Sequence, residues 1–542
     1  MLTKKNQTGR MFLIILALIL LIQLAALVTA GTEKKSYHID EIYTYILSNS
    51  YDANRISHDT KAMTSWNAGA YFDKFVEVEA GERFAYGSVK YNNSLDAHPP
   101  LYYYLIHTVS SLFPGSFTKW VGLGLNFLLF VGIQIVLYLL VSEVTGKKLC
   151  GVAAVALNGG LASTMDMMLF TRMYALLTFF AVLLVYVHYH LYLAPQKKRL
   201  YLLAAVITFL GVYTQYYFAF LAFFVAVACC LWLLKNREFK LLVMYALLML
   251  AAVALVFLLY PAAVTQITGS ETNNIGNEVS ANIFNFGALP AALVKMVAQI
   301  IQGALIGFYH YWVLSGVCIL TTLVASVLLR KRESTADYKN DLGRLLLLLG
   351  AILVLTVITI THISGKFTYV RYVYYLFPLF AALAIMLIAV IAPRMHLHFG
   401  AVCVGLICFG LIGAVSFAQN DVSTYLFQQK HKNESEIVEL CQDRPLVLIS
   451  NGSTYHPTAN FEILHQASEV YICNYREDVD MDEILRDRDT GSGVVFMVLT
   501  DREWSEGFDG DAVMAEIIES ADALERFELC GYSDFSTVYL AK

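Results

Sequence analysis

Runs of about 20 apolar residues, the length a helix needs to cross the hydrocarbon core of a bilayer, recur along most of this 542-residue chain. In lipid the backbone of such a run is satisfied only by helix or by a closed barrel. Eleven candidate spans are read, at approximately 11–30, 119–141, 149–168, 173–193, 200–214, 218–234, 241–260, 311–329, 344–362, 372–392 and 399–418. The fold class expected is an α-helical polytopic membrane protein. Its composition, 58% hydrophobic and 15% charged, agrees, since a soluble domain is about 45–50% apolar and about 25% charged. A net charge of −5 without a basic patch gives no footing for nucleic acid.

Short cytoplasmic loops carry an excess of Lys and Arg. Here Lys147 and Lys148, then Lys197, Lys198 and Arg199, then Lys235, Arg237 and Lys240, then Arg330, Lys331 and Arg332, and finally Arg394 fall at alternate junctions, on the side of the N-terminus. This pattern predicts a multi-pass protein of the cell membrane with a cytoplasmic N-terminus and an extracytoplasmic C-terminal region. The first run, preceded by Lys4, Lys5 and Arg10, is read as a retained span. A leader cleaved after Val28-Thr29-Ala30 is the alternative, and both readings put the segment from Gly31 onward on the outer side.

Three outer regions are long where compact connections are short. They are a first loop at 31–118, a second loop at 261–309 and a tail at 419–542, so the expected domains are a membrane domain, 1–418, and a small α/β domain, 419–542. Within the first loop, Leu101 to Phe113 is too short to span and rich in Tyr and Leu, which suits a helix lying in the interface. Residues 289–307 are read the same way, with a twelfth span as the alternative. The tail alternates strand-like runs (Pro445 to Ser450, Val470 to Asn474, Gly493 to Leu499) with helical segments (Asn433 to Cys441, Asp511 to Ser520). It closes on an expected hairpin, Phe527 to Cys530 with Ser536 to Ala541. Cys441, Cys473 and Cys530 lie in it without the spacing of a zinc site; one disulfide among them is allowed and not required.

Adjacent carboxylates, Asp40 and Glu41, come about ten residues after the first span with His38 just before them. A capping or solvated role is the plain reading, because Asp before an apolar run is a common N-cap. The chemical reading is a general base that takes the proton of an attacking hydroxyl. A second element, Asp96-Ala-His-Pro-Pro-Leu101, leads into the amphipathic helix, and proline suits a helix's first turn. Arg172 and Arg371 stand at outer ends of expected spans, where they either snorkel to the interface or meet a lipid phosphate. Tyr213 to Tyr217 and Tyr309 to Trp312 read as interfacial aromatic belt.

Taken in order, His38-Ile-Asp-Glu41, His98-Pro-Pro-Leu101, Thr171-Arg-Met-Tyr-Ala-Leu176 and Arg371-Tyr-Val-Tyr-Tyr-Leu-Phe-Pro378 resemble the bacterial protein O-mannosyltransferase and aminoarabinose-transferase family of GT-C glycosyltransferases. The resemblance covers roughly 1–418 by layout; the tail carries no signature of the family, and no Trp-Trp-Asp run of the oligosaccharyltransferase kind is present. It implies transfer, with inversion, from a polyprenyl-phosphate sugar donor to a hydroxyl of a protein, lipid or cell-wall glycan acceptor on the outer face. Asp40 is then the catalytic base, Glu41 its neighbour, and Arg172, Arg371 and Lys366 the partners of the donor phosphate. Asp96, His98, Tyr174 and Tyr372 would line the substrate cavity. No nucleotide or other cofactor is implied, and no metal in the mannosyltransferase branch, although related families use one.

Two other classes fit the composition. A lipid or polymer transporter usually shows internal repeats and polar residues at mid-membrane, whereas here no repeat is detected and the polar residues gather at the outer surface, Asp166 included. A non-catalytic scaffold or sensor would use the tail to bind a partner; loss of activity without loss of folding on changing Asp40 separates it from an enzyme.

Overall fold

A computed structural model describes residues 2–51, 65–269, 277, 281–329, 340–365, 368–419, 422–450, 455–474, 492–499, 510–520 and 527–542. Arg330, Lys331, Arg332 and Lys366 lie outside the described residues. Contacts divide the chain into two compact units, one formed by Met1–Thr32, Asn93–Tyr102 and Gly122–Thr424, the other by Glu33–Asn92, Tyr103–Val121 and Tyr425–Lys542.

The first unit is the membrane part, and the helical polytopic class expected from the sequence is what it shows. Among the described residues nine helices are long and apolar enough to cross a membrane, and ten if the pair Lys148–Asn158 and Ala162–Leu169, bent by 63°, is one broken span. The allotment of spans differs from the expected one at three places. Lys198–Val212 has only 15 residues and Trp312–Leu328 only 17, about 22 and 26 Å of helix against a core of about 30 Å. Leu289–His310, expected in the interface, is a continuous helix of 22 residues, long and apolar enough to cross by length and composition.

Polar side chains and glycines hold these helices together, as they must where lipid removes the hydrophobic drive between them. Gln23 of the first span donates to the Val155 carbonyl (3.0 Å), Gln134 Nε2 to Gln23 Oε1 (2.9 Å), Asn158 Nδ2 to Gln134 Oε1 (3.1 Å) and Thr164 Oγ1 to Asn158 Oδ1 (3.1 Å). All four are buried. At the break itself the backbone comes very close to Phe399–Gln419: a Cβ on Gly410 would collide with the Ala156 carbonyl, and one on Gly413 with that of Gly160.

The second unit is α/β. Its six-stranded sheet runs β1 (Ser65–Asn67), β3 (Glu469–Asn474), β2 (Leu446–Ser450), β4 (Val494–Leu499), β6 (Ser536–Ala541), β5 (Phe527–Ser533). β2 pairs in parallel with β3 and β4, while β4–β6, β6–β5 and β3–β1 are antiparallel. The three central runs are apolar at nearly every position because both faces are covered: every residue of β2 and β4 is buried. Helix Gly510–Ser520 closes one face through Val513, Met514 and Ile517 on Val447, Phe496 and Tyr539. The tail strands, the helices Gln428–Cys441 and Gly510–Ser520 and the final hairpin fall where the sequence places them, and all three tail cysteines are free thiols. Unforeseen is β1, a strand given by the first loop to the edge of the tail's sheet, Ser65 opposite Tyr471.

Candidate functional site

In the second unit the Asp40 segment starts the helix Ile39–Asn49. Its N-cap is His38 and not an aspartate: His38 Nδ1 accepts from the Asp40 N–H (3.1 Å), and Glu41 reaches back to accept from the His38 N–H (2.9 Å), a capping box. Glu41 is thereby spent on structure. Its carboxylate also takes the Lys34 ammonium at 2.8 Å, with both side chains fully buried. Burial lowers the Lys34 pKa, and the charge and hydrogen bond of Glu41 work in the opposite direction. Asp40 is differently placed, its side chain keeping 24% exposure with His38 Nδ1 3.6 Å from its carboxylate. Because Nδ1 is already the acceptor of the cap, it does not donate to that carboxylate while the ring is neutral.

Residues of the tail pin the strand of chain that delivers Asp40. Lys34 Nζ donates to the Tyr425 carbonyl (3.0 Å) and Lys430 Nζ to the Tyr37 carbonyl (2.8 Å). Ser36 bonds Glu462. Lys430 stands 3.5 Å from Glu434 and 2.9 Å from Asp534. Burial pushes the Glu434 carboxyl up to about 8, with Lys430 opposing and Glu462 adding to the shift.

In the first unit three of the sequence candidates meet. Asp96 Oδ2 lies 3.0 Å from His98 Nδ1, and His98 Nε2 lies 3.4 Å from Arg172 Nη2. Since guanidinium only donates, His98 accepts at Nε2 and carries its proton on Nδ1, bonded to Asp96. Burial raises the Asp96 carboxyl, but the hydrogen bond from His98 and the Arg172 charge pull it down, and it sits below its ordinary value. Arg172 is 4% exposed. It stands in the break between Ala162–Leu169 and Tyr174–Leu193, not on the last turn of a span.

This break is clamped. Asn126, fully buried, donates to the carbonyls of Met168 (3.2 Å) and Phe170 (3.0 Å) and accepts from Tyr102 (2.9 Å). One amide thus ties the segment before Arg172 to the segment after His98. From the segment at 261–309 Gln266 donates to the carbonyls of Asn93 and Asp96, both at 2.8 Å, while the Tyr213 carbonyl receives the Leu101 N–H at 3.3 Å. Asp166 is bonded by Ser423 (2.5 Å) and Thr424 (3.0 Å).

Tyr174 is buried and packs edge-on to Tyr374 at 6.1 Å, which joins the Arg172 break to the turn Val370–Leu376. Arg371 in that turn lies over the rings of Tyr369 (4.9 Å) and Tyr372 (5.7 Å), and Tyr372 meets Tyr217 edge-on at 5.3 Å. No described group of three His, Cys, Asp or Glu side chains is arranged to hold a metal ion.

Sequence reasoning missed Lys34, Lys430, Asn126 and Gln266. For Lys34 there was a signal, a lysine pair with Lys35 just after the first span, at the end the charge pattern assigns to the outer side and therefore disfavours for lysine. For the others there was none, since each acts through a partner distant in sequence.

No family model matches the chain, and no curated protein does. Among solved structures it is similar to ArnT from Cupriavidus metallidurans bound to undecaprenyl phosphate, with 11% identity, TM-score 0.36 and coverage of 97% of this chain and 98% of that one. The same protein in the apo state matches at 11% identity and TM-score 0.35, covering 92% and 96%. The Archaeoglobus fulgidus oligosaccharyltransferase in complex with zinc and sulfate matches at 14% identity and TM-score 0.38, covering 82% of this chain and 61% of that one. Likeness at this level decides nothing about chemistry, which rests on the side chains of this chain itself.

Proposed function

We propose that this chain is a membrane glycosyltransferase that moves a sugar from a polyprenyl-phosphate donor to an acceptor hydroxyl on the outer face of the membrane. Asp40 takes the hydroxyl proton; the oxygen attacks the anomeric carbon from the side opposite the phosphate; the bond from C1 to the phosphate oxygen breaks, and the polyprenyl phosphate leaves with the electron pair. The configuration at C1 inverts. Arg172 and Arg371 meet the charge that develops on the leaving phosphate, for which a planar guanidinium offers a two-pronged fit. Lys366, five residues before Arg371 in the sequence, adds positive charge there. Asp96 and His98 fix the Arg172 plane, and Tyr174 and Tyr372 border the sugar. The N-terminus is cytoplasmic in this reading, the region from 419 on is extracytoplasmic, and the acceptor is a protein, a lipid or a wall glycan.

The observation that carries the reading is the division of labour between two adjacent carboxylates. Glu41 is buried, ion-paired and closes the helix cap, whereas Asp40 is left with solvent access at the start of the same helix. Further support comes from the Arg172 side chain, which is buried and reaches His98, itself paired to Asp96, an arrangement that a side chain serving only to snorkel does not need. Lipid extracts of cells with and without the protein test the function: a polyprenyl-phosphate sugar should accumulate in its absence, and unchanged carrier lipids contradict the proposal.

A further inference from the structure

A cavity of about 420 Å³ opens in the membrane unit between the helices Lys119–Thr145, Tyr174–Leu193, Phe218–Lys235, Asn340–Ser364 and Phe377–Arg394. That volume is in the range of ligand sites, about 300–1,000 Å³. Its floor is apolar, with Val185, Val225, Leu349, Ile352 and Met386 among its walls. Its mouth is not: Tyr189, Tyr192, Trp232, Lys235, Asn236 and Arg344 stand there. Its polar residues come from the last turns of Tyr174–Leu193 and Phe218–Lys235, from Asn236 just after the latter, and from the second turn of Asn340–Ser364, so they belong to one end of the bundle. This is the end that carries Lys197, Lys198, Arg237 and Lys240.

The cavity is distinct from the Arg172 region. Arg172 precedes the first turn of the 20-residue helix Tyr174–Leu193, and Tyr189 and Tyr192 lie on its last turns, about 25 Å further along the axis.

We propose that this cavity binds a two-chain phospholipid with an anionic headgroup, its phosphate between Lys235 and Arg344 and an acyl chain on the apolar floor. Three features choose this occupant. The floor matches a hydrocarbon chain. The Tyr192 and Trp232 rings, 5.5 Å apart, form the kind of aromatic edge that sits at headgroup level. Just beyond it are two cations, and basic pockets between spans on the cytoplasmic side are where anionic headgroups bind. The only acid paired to either cation among the described residues is Asp341, 3.8 Å from Arg344 with both side chains well exposed, a contact weak enough to exchange for a phosphate.

Trp232, one of five tryptophans, reports on the cavity directly. The full-length protein is reconstituted with acyl-brominated phosphatidylglycerol or acyl-brominated phosphatidylcholine diluted into plain phosphatidylcholine, and quenching is followed, with Trp232→Phe isolating the contribution of Trp232. The phosphatidylglycerol form should quench Trp232 at a mole fraction lower by roughly tenfold, given two basic residues at the headgroup. Lys235→Gln with Arg344→Gln should erase that preference, and Lys235→Arg with Arg344→Lys should keep it. Equal quenching by the two lipids in the wild type overturns the proposal whatever the variants do. So does a preference that survives the double glutamine variant, or relief of quenching by an equal mole fraction of undecaprenyl phosphate, which would give the groove to a single-chain carrier.

Discussion

Lys34 and Glu41 face each other at 2.8 Å with neither side chain exposed, and Glu41 also accepts the backbone N–H of the cap residue His38. A buried pair of this kind is costly to break from one side, because the remaining charge is left in a medium that cannot solvate it. Lys34→Met or Glu41→Gln should therefore destabilise the second unit by about 3–5 kcal/mol. Thermal unfolding measured on purified protein checks this; Asp40→Asn should leave the transition nearly where it is.

Glu434 gives the second unit a pH dependence of definite sign. Its carboxyl is raised from 4.5 to about 8, so the folded state holds a proton there that the unfolded chain has released. The contribution is fully present below 4.5 and is lost as pH rises to about 8. Lys430, Glu462, Asp534 and Ser36 face this group. Glu434→Gln should flatten the dependence of melting temperature on pH across that window, and a slope equal to that of the wild type would show that Glu434 is ionised in the folded protein.

Asn126 is predicted to act on donor use without touching donor. Asn126→Ala removes the donor to two buried carbonyls and the acceptor of Tyr102, a loss of about 1–3 kcal/mol for each group left unsatisfied. The Arg172 segment then loses its clamp. A raised KM for the lipid donor, with Asn126→Asp no milder than Asn126→Ala because a carboxylate cannot donate to the two carbonyls, is the expected kinetic result, read beside melting temperature to separate it from unfolding.

The guanidinium groups are predicted to matter for their shape as well as their charge. Arg172→Ala and Arg371→Ala should each lower donor use by at least about tenfold, as loss of a charged hydrogen bond of about 1.5–3 kcal/mol implies. Lysine replacements should recover part of it, since they keep the charge and lose the fork. Wild-type donor kinetics in both alanine variants would return these residues to packing and anchoring.

Much of this architecture was legible because burial writes itself into sequence. Val494 to Leu499 reads as an unbroken apolar run since both faces of β4 are covered, and the long spans are apolar because lipid demands it. β1 was not legible: Ser65, Trp66 and Asn67 are too few to carry a period, and what makes them a strand is the β3 edge some 400 residues away. The fate of Leu289–His310 was equally undetermined, because a moderately apolar helix suits interface or core alike and only its uninterrupted length shows it long enough to cross. At the site, Asp96, His98 and Arg172 were each visible as residue types beside turns, but their alignment depends on Asn126 and Gln266, whose partners no spacing reveals. The order within the carboxylate pair rests on the resemblance; the capping box and Lys34 show only that Glu41 is engaged in structure.

The most direct measurement is the single-turnover transfer rate of purified Asp40→Asn protein, with donor binding and melting temperature measured on the same preparation. Asparagine keeps the size and most of the hydrogen bonding of aspartate but cannot take a proton, so donor should bind normally and the protein should melt normally while transfer falls by about 10²- to 10⁴-fold. Glu41→Gln, once corrected for its folded fraction, should cost less. Transfer at the wild-type rate by folded Asp40→Asn protein would contradict the account and leave Asp40 as one more residue in the first turn of a helix.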